Sequence, residues 1–305
     1  RLQPLAQSKP FDPPARGAKH FLVLGGDDGS SFHDSVELFQ ADSMSFTAGP
    51  PMGAKRSSCA VAPSKDGQVL VFGGCVGAKC LDTTEVLSLE AMSFAPGPAM
   101  GVRRAACAAA RIDERRVMVL GGRDRSARLE STEILDLQAM TFQPGPQMES
   151  RRAMCAAVML DDQRLLVIGG HDGNAALSST EVLDTSTMEF SPGPNLGTPR
   201  FSCAAALLDE RRIIVLGGVS DGSARLETTE ILNLSRGTFA PGPNLGTARS
   251  GCGVMMLDQQ RLLVVGGHDG SIRHDTTEVF DLTSMRFTAG PQMSCRRGGC
   301  IAVSC

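Results

Sequence analysis

Short apolar runs that end in Gly-Gly recur along almost the whole chain. Six such pairs follow one another at spacings of 48 or 49 residues: Gly25-Gly26, Gly73-Gly74, Gly121-Gly122, Gly169-Gly170, Gly217-Gly218 and Gly266-Gly267. A fixed period of this size indicates a repeat architecture in which each unit is one piece of supersecondary structure. Features that recur in every unit are expected to be scaffold, and features that break the pattern are where function can lie.

The fourth unit shows what each repeat contains. Four apolar or β-branched runs, over 155–160, 164–168, 179–184 and 188–190, are separated by turns rich in Asp, Gly and Pro. No stretch has the 3.6-residue period of a helix, so the runs are predicted to be antiparallel strands. Runs that are apolar on both faces, such as 262–265, suit strands buried between two other sheets. The sequence therefore predicts an all-β, six-bladed β-propeller with four antiparallel strands in each blade.

The two ends of the repeat array are complementary. The run over 21–24 has no strand ahead of it at the standard spacing, whereas the last repeat supplies an unmatched strand over 299–304. We expect this C-terminal strand to complete the first blade and close the ring, which removes two exposed sheet edges. Residues 1–18, with four prolines, are predicted to be an irregular N-terminal arm, and residues 19–305 the propeller.

Composition and charge narrow the classes of partner. The net charge of -3 gives no general attraction to nucleic acid or to an anionic membrane. No apolar run approaches the ~18 residues of a membrane-spanning helix. The chain starts at Arg1 without Met, so we expect a monomeric domain within a larger protein. Ten cysteines without the spacing of a disulfide framework fit a reducing compartment, and we expect the cytoplasm.

Two residue types recur once in every repeat and have both a chemical and a structural interpretation. One arginine precedes each first strand: Arg56, Arg104, Arg152, Arg200, Arg249 and Arg297. One cysteine follows three residues later: Cys59, Cys107, Cys155, Cys203, Cys252 and Cys300. The arginines could form an anion-binding ring, but we expect each to pair with a strand-three glutamate. The cysteines could form a metal or haem site, but they lack CxxC spacing and are expected to be buried, small apolar residues.

Three further cysteines fall outside the repeat pattern. Cys75 and Cys80 share one loop, and Cys295 lies in a loop at the ring seam. They could be a redox pair or an incomplete metal site, although we expect exposed, unpaired thiols. The Asp-Gly pairs at 28–29, 172–173, 221–222 and 269–270 are predicted turns in which Gly supplies a positive φ. No cofactor and no bound metal are predicted.

The repeat is similar to the kelch repeat. The matching features are Gly-Gly closing the second strand, Arg ahead of the first, Glu in the third and an aromatic residue in the fourth, and they cover about residues 20–305. The strand-three acids are Glu85, Glu133, Glu181, Glu230 and Glu278. Kelch units usually carry Trp in strand four and Tyr in strand three, whereas this chain has Phe and mostly Leu there. The resemblance implies that partner peptides bind the face formed by the loops after Gly-Gly and the segments leading to each strand one.

Residues on that face that do not recur are mainly basic. The candidates for contacting a partner are Arg103, Arg123, Arg125, Arg128, Arg151, His171, Arg225, His268, Arg273 and Arg296. Arginines that the fold does not need can bind carboxylates with two parallel hydrogen bonds. Loop acids, by contrast, mostly recur at fixed positions and are interpreted as scaffold. The alternative for each candidate is a solvated loop charge.

We therefore expect a non-catalytic interaction module that binds a short acidic peptide of a protein partner. The resemblance implies a possible role in recruiting substrates for a cullin-type ubiquitin ligase. That role needs a BTB domain or equivalent adaptor outside these residues. The alternative is a propeller enzyme, sugar-processing and similar to sialic-acid mutarotases, with its site at the channel mouth. Against this alternative, the chain has no Tyr for a radical or nucleophile. His171 and His268 occupy the same position in two blades, and this repetition argues against a unique catalytic base.

Overall fold

A computed structural model describes residues 20–64, 67–221 and 224–304. The predicted N-terminal arm over 1–18 lies outside the described residues. Within the described ranges every regular element is a strand, and no helix could cross a membrane. Each repeat forms one four-stranded antiparallel sheet, and six sheets form the blades of a β-propeller. The fold class predicted from the repeat is confirmed.

The strand bounds follow the predicted repeat. Blade 1 contains β1 (His20–Leu24), β2 (Val36–Gln40) and β3 (Ser45–Ala48). Blade 2 contains β4 (Ala60–Pro63), β5 (Gln68–Phe72), β8 (Thr84–Ser88) and β9 (Ser93–Pro96), with a separate ribbon of β6 (Cys75–Val76) and β7 (Lys79–Cys80). Blade 3 contains β10 (Ala108–Arg111), β11 (Arg116–Leu120), β12 (Thr132–Asp136) and β13 (Thr141–Pro144). Blade 4 contains β14 (Ala156–Met159), β15 (Arg164–Ile168), β16 (Thr180–Asp184) and β17 (Glu189–Pro192).

The last two blades have the same order. Blade 5 contains β18 (Ala204–Asp209), β19 (Arg212–Leu216), β20 (Thr229–Asn233) and β21 (Thr238–Pro241). Blade 6 contains β22 (Gly253–Met256), β23 (Arg261–Val265), β24 (Thr277–Asp281) and β25 (Arg286–Ala289). The final strand, β26 (Ile301–Ser304), returns to blade 1 and gives the sheet order β26-β1-β2-β3.

Ring closure by the C-terminal strand is confirmed. Strand β26 pairs antiparallel with β1, placing Ile301 opposite Leu24 and Ser304 opposite Phe21. The inner strands contact one another in the order β26, β4, β10, β14, β18 and β22, and β22 contacts β26 again. The strand that is last in the chain is therefore the first strand of blade 1, and the ring has no open blade.

The hydrophobic core lies between neighbouring blades. Six clusters of buried residues are found, each combining residues from two adjacent sheets. Between blades 4 and 5, for example, Leu166 and Ile168 share a cluster with Ile213 and Val215. The second strand of each blade packs on both faces, which explains why these runs are continuously apolar rather than alternating.

Each Gly-Gly pair contacts and hydrogen-bonds the backbone of the next blade. Gly217 has a φ of 58°, and a Cβ at this position would collide with the carbonyl oxygen of Arg249 in blade 6. The N–H of Gly218 donates a 2.8 Å hydrogen bond to that same carbonyl. The backbones of adjacent blades therefore meet where only a residue without a side chain fits.

The arginine that precedes each inner strand is buried and paired within its own blade, as expected. In blade 3, Arg104 Nε donates to Glu133 at 3.0 Å, and its Nη1 donates to the carbonyls of Gly121 and Ser131. The other pairs are Arg56–Glu85, Arg152–Glu181, Arg200–Glu230, Arg249–Glu278 and Arg297–Glu37. Each glutamate also accepts at least one backbone N–H group of the segment leading to its arginine, as Glu133 does from Gly101 at 2.6 Å. These arginines are scaffold.

A closed circle of backbone hydrogen bonds surrounds the axis. The second residue after each buried arginine has a positive φ, and its N–H donates to the carbonyl of the equivalent residue in the preceding blade. The six residues are Ser58, Ala106, Met154, Ser202, Gly251 and Gly299, and their N···O distances are 2.7 to 2.9 Å. Ser58 donates to Gly299, so the circle is complete.

The next residue along each inner segment is the recurring cysteine. Five of these six are buried and Cys203 is partly exposed. Burial raises the pKa of the Cys59, Cys107, Cys155 and Cys252 thiols to about 12, against the weaker opposing effect of the adjacent arginine. The recurring thiols therefore stay protonated near neutral pH and pack as small apolar groups.

Candidate functional site

The loops after Gly-Gly and the segments leading to the inner strands lie on one face, as predicted. In each blade the residue after Gly-Gly forms an antiparallel bridge with the residue after the buried arginine, as Arg123 does with Ala105. We call the residues after Gly-Gly the post-glycine positions: Asp27, Cys75, Arg123, His171, Val219 and His268. Equivalent scaffold positions thus carry six side chains of very different chemistry around the channel mouth.

A second set of positions lies opposite the first across each loop. Every post-glycine residue faces a residue on the returning arm of its own loop. We call these the return positions: Phe32, Cys80, Arg128, Ala176, Arg225 and Arg273. The scaffold fixes where these residues lie. Because their side chains differ from blade to blade, the charge and polarity of the mouth differ from blade to blade as well.

The loop aspartates are scaffold, as expected for most of them. Asp124 accepts hydrogen bonds from the N–H groups of Ser126 and Ala127, which lower the pKa of its carboxyl group. Asp28, Asp172 and Asp269 close their own loops in the same way. Asp221 differs, because blade 5 has one more residue here, and it accepts from Ala176 N–H of blade 4 at 3.0 Å. The glycine of that turn, Gly222, lies outside the described residues.

Asp27 is the one carboxylate among the post-glycine and return positions. It accepts a 2.8 Å hydrogen bond from Arg273 Nε of blade 6 and a 3.2 Å bond from Ser57 Oγ of blade 2. Arg273, predicted to contact a partner, is therefore already neutralised by an acid of the mouth itself. At the seam between blades 6 and 1, the charges of Arg273 and Asp27 therefore compensate each other.

Blade 3 presents two arginines without such a partner. Arg123 and Arg128 face each other as a post-glycine and return pair. Neither forms an ion pair with any carboxylate in the described part of the chain, and Arg123 Nη2 donates to the Cys75 thiol at 4.0 Å. The Nε of Arg128 is buried without a hydrogen-bond partner among the described residues. Within the described residues, blade 3 therefore places two guanidiniums at the mouth without a carboxylate partner.

Two candidate arginines on the outer rim are held by neighbouring acids. Arg103 Nε lies 3.3 Å from Asp82, and Arg151 Nε lies 3.0 Å from Glu130. The sequence analysis treated these loop arginines as not needed by the fold and these acids as scaffold. It therefore missed their pairing. Arg125 and Arg296 are exposed on the same rim.

The remaining candidates lie at the mouth in blades 4 to 6. The His171 ring makes an edge-on contact with Phe201 of blade 5, with ring centroids 5.1 Å apart. His268 lies near Arg225 and Arg273, and its pKa is lowered by burial first and by these two guanidiniums next. The His268 imidazole is therefore neutral near pH 7 and adds no positive charge.

The expectation that Cys75 and Cys80 are exposed thiols is wrong. The two residues are only 6% and 3% exposed, and they form a buried cluster with Ala105. Their loop is a two-stranded ribbon in which Cys75 lies directly opposite Cys80. Both side chains pack against Ala105 of blade 3, and that removes them from solvent. Cys295 is partly exposed, with its thiol 3.7 Å from Glu37.

Sequence reasoning missed Phe201 as a mouth residue. It follows the buried Arg200, and the equivalent residues in the other blades are Ser57, Ala105, Ala153, Ser250 and Gly298. An alignment of the six repeats shows a single large aromatic residue at a position that is otherwise small, and this departure from the repeat was the available signal. Among the described residues no group of three or more His, Cys, Asp or Glu could hold a metal ion.

Comparison with known protein families agrees with this architecture. The KLHDC2/KLHL20/DRC7 Kelch-repeats domain matches residues 15–200, and the Kelch motif matches residues 248–294. No curated protein matches the chain. The first match covers more than half of the 305 residues. The chain therefore belongs to the kelch-repeat family, whose propellers are in general non-catalytic modules for protein interaction.

Proposed function

We propose that the channel mouth binds a short acidic peptide of a protein partner, with Arg123 and Arg128 as its main contacts. The observation that carries the proposal is that Arg123 and Arg128 occupy directly opposed cross-strand positions, and neither guanidinium has a carboxylate partner among the described residues. Like charges at opposed cross-strand positions are destabilising, so the pair weakens the loop unless an anion lies between the two groups. A carboxylate of a bound peptide supplies that anion.

The surroundings of the pair favour a peptide over a small anion. Exposed Arg125 lies at the tip of the same loop, and the next blades offer His171 in contact with Phe201. A side chain that follows the acidic residue can pack on this aromatic surface, while the arginines bind the carboxylate. Kelch propellers in general bind protein partners, which agrees with this assignment.

The test uses an array of synthetic peptides rich in Asp and Glu, with copies in which these residues are replaced by Asn and Gln. Arg123→Ala with Arg128→Ala should lower affinity by about tenfold or more, since each charge-assisted hydrogen bond contributes about 1.5–3 kcal/mol. Affinity for the unaltered protein should also fall as salt rises, because partly exposed charges are screened.

A matched control lies on the same face. Arg103→Ala with Arg151→Ala also removes two positive charges, but both arginines are already paired with Asp82 and Glu130. This variant should bind nearly as well as the unaltered protein. Equal losses in the two variants would show that only overall charge matters. Tight binding by the Asn and Gln peptides would contradict the proposal.

We further propose that the domain recruits this partner to a cullin-type ubiquitin ligase in the cytoplasm. The support is the kelch family membership together with the nine described cysteines, all of which are free thiols. Affinity capture of the protein from its own cells should recover a cullin. Capture that recovers the acidic partner without any cullin would contradict the adaptor role and leave peptide binding intact.

A further inference from the structure

We propose that Cys75 and Cys80 form a reversible intramolecular disulfide when a small disulfide oxidant such as glutathione disulfide is present. The two residues occupy the post-glycine and return positions of blade 2. None of the other five blades carries cysteine at either position, so these two are not part of the repeating scaffold. The inference is independent of the peptide-binding proposal.

The backbone already holds the two residues at a distance that a disulfide requires. Leu81 N–H donates to the Gly74 carbonyl at 2.9 Å, whereas Cys75 N–H and C=O both bond to Ser57 on the opposite side. Cys75 and Cys80 are therefore a non-hydrogen-bonded cross-strand pair, for which the Cα atoms are about 4.5 Å apart and the side chains share one face. Disulfides span Cα separations of about 4.4–6.8 Å, so closure needs no large backbone movement.

Local opening of the ribbon would expose the two thiols to the oxidant. Both side chains are buried, but residues 76–79 that join them are exposed and form a short sheet separate from the blade. A ribbon with so few backbone hydrogen bonds opens at lower free energy than the blade strands. Burial raises the pKa of the Cys75 thiol, and the Arg123 guanidinium opposes that rise. Proximity, rather than an acidic thiol, therefore drives the second step.

The chemistry balances with glutathione disulfide as the oxidant. The thiolate of one cysteine attacks a sulfur of the oxidant, forming a mixed disulfide and releasing one glutathione thiolate. The thiolate of the other cysteine then attacks the protein sulfur of that mixed disulfide and releases the second glutathione. Two cysteines lose two protons and two electrons in total, and glutathione disulfide gains the two electrons.

Trypsin places the two cysteines in different peptides, so a disulfide between them can be detected as a link between those peptides. Cleavage after Lys65, Lys79 and Arg103 places Cys75 in peptide 66–79 and Cys80 in peptide 80–103. The purified chain is equilibrated with glutathione buffers, alkylated, digested and analysed by mass spectrometry. We expect the two peptides to be recovered as one linked species, with two of the ten cysteines protected from alkylation. Reduction should release both.

Two variants sharpen the result. Cys80→Ser should trap the first step, leaving glutathione on Cys75. Cys107→Ala removes a buried scaffold thiol and should leave the link between peptides 66–79 and 80–103 unchanged. The proposal is overturned if the unaltered chain carries glutathione on Cys75 without the link. It is also overturned if the pair stays fully alkylated in glutathione disulfide alone.

Discussion

At the scale of single residues, the stability of this propeller depends on buried charges that are paired and hydrogen-bonded. Arg104 is 0% exposed, and its guanidinium donates to one carboxylate, two carbonyls and one hydroxyl. Glu133 in turn accepts two backbone N–H groups in addition to the arginine. Removing one partner from such a site leaves a buried charge without compensation, and that costs far more than the pair contributes when intact.

Glu133→Ala should therefore lower the free energy of unfolding by about 3–5 kcal/mol, because it strands the Arg104 guanidinium in the protein interior. Glu130→Ala, three residues earlier, removes a carboxylate whose partner Arg151 is 58% exposed, and should cost less than about 1 kcal/mol. Urea unfolding of both variants, followed by far-UV circular dichroism, measures the difference. Similar losses in the two variants would show that the buried pair is not a special site.

At the scale of elements, one short strand from the end of the chain completes the blade at its beginning. Strand β26 supplies Val303, which is buried in a cluster with Leu22 and Leu24. It also covers the inner edge of β1 and contacts the inner strands of blades 2 and 6. Closure of the ring and completion of blade 1 are therefore the same event.

Deletion of residues 298–305 keeps the buried Arg297 but removes this strand. We expect a loss on the order of 5 kcal/mol or more, since each buried aliphatic side chain contributes about 1.5–3 kcal/mol and an open sheet edge is left behind. Removal of residues 1–18 serves as the comparison and should change the melting temperature little. Thermal unfolding by calorimetry tests both. If the two truncations are equally mild, closure by β26 contributes little to stability.

At the scale of the whole molecule, the six blades are equivalent in the ring although they differ along the chain. The circle of hydrogen bonds includes one residue from every blade, and the bond from Ser58 to Gly299 closes it. The first and last described strands also pair with each other, since Ser304 lies opposite Phe21. Nothing in the geometry of the ring requires closure in blade 1 rather than in another blade.

A circular permutant tests this equivalence. It would run from residue 163 to 304, continue through a short Gly-Ser linker to residue 20, and end at residue 162. The new ends lie in the exposed turn between β14 and β15, so blade 4 is closed in the same way as blade 1. We expect a folded protein with a melting temperature within about 5 °C of the parent, a change of about 3 kcal/mol.

The control permutant is opened between Ala106 and Cys107, within the circle of hydrogen bonds. It should fold poorly, because its break falls where the inner segments of neighbouring blades are joined. Equal stability of the two permutants would show that the circle is not needed for closure of the ring.

The sequence by itself determined the architecture and much of the scaffold. A period of 48 or 49 residues gives the number of blades, the Gly-Gly pairs mark the ends of the second strands, and the unmatched strand at the C-terminus predicts the closure. The pairing of the buried arginines with strand-three glutamates was also predictable, because a recurring charge in an apolar segment needs a recurring partner. These features are local or periodic along the chain, and periodicity can be seen without coordinates.

Only the tertiary structure decided which loop residues compensate one another. Arg103 and Arg151 pair with acids on the rim and Arg273 pairs with Asp27, whereas Arg123 and Arg128 face each other. Cys75 and Cys80 are buried because their loop folds as a ribbon in one particular register. These partners are set by strand register and by contacts between blades. Both depend on how distant segments pack, and a single sequence does not record that packing.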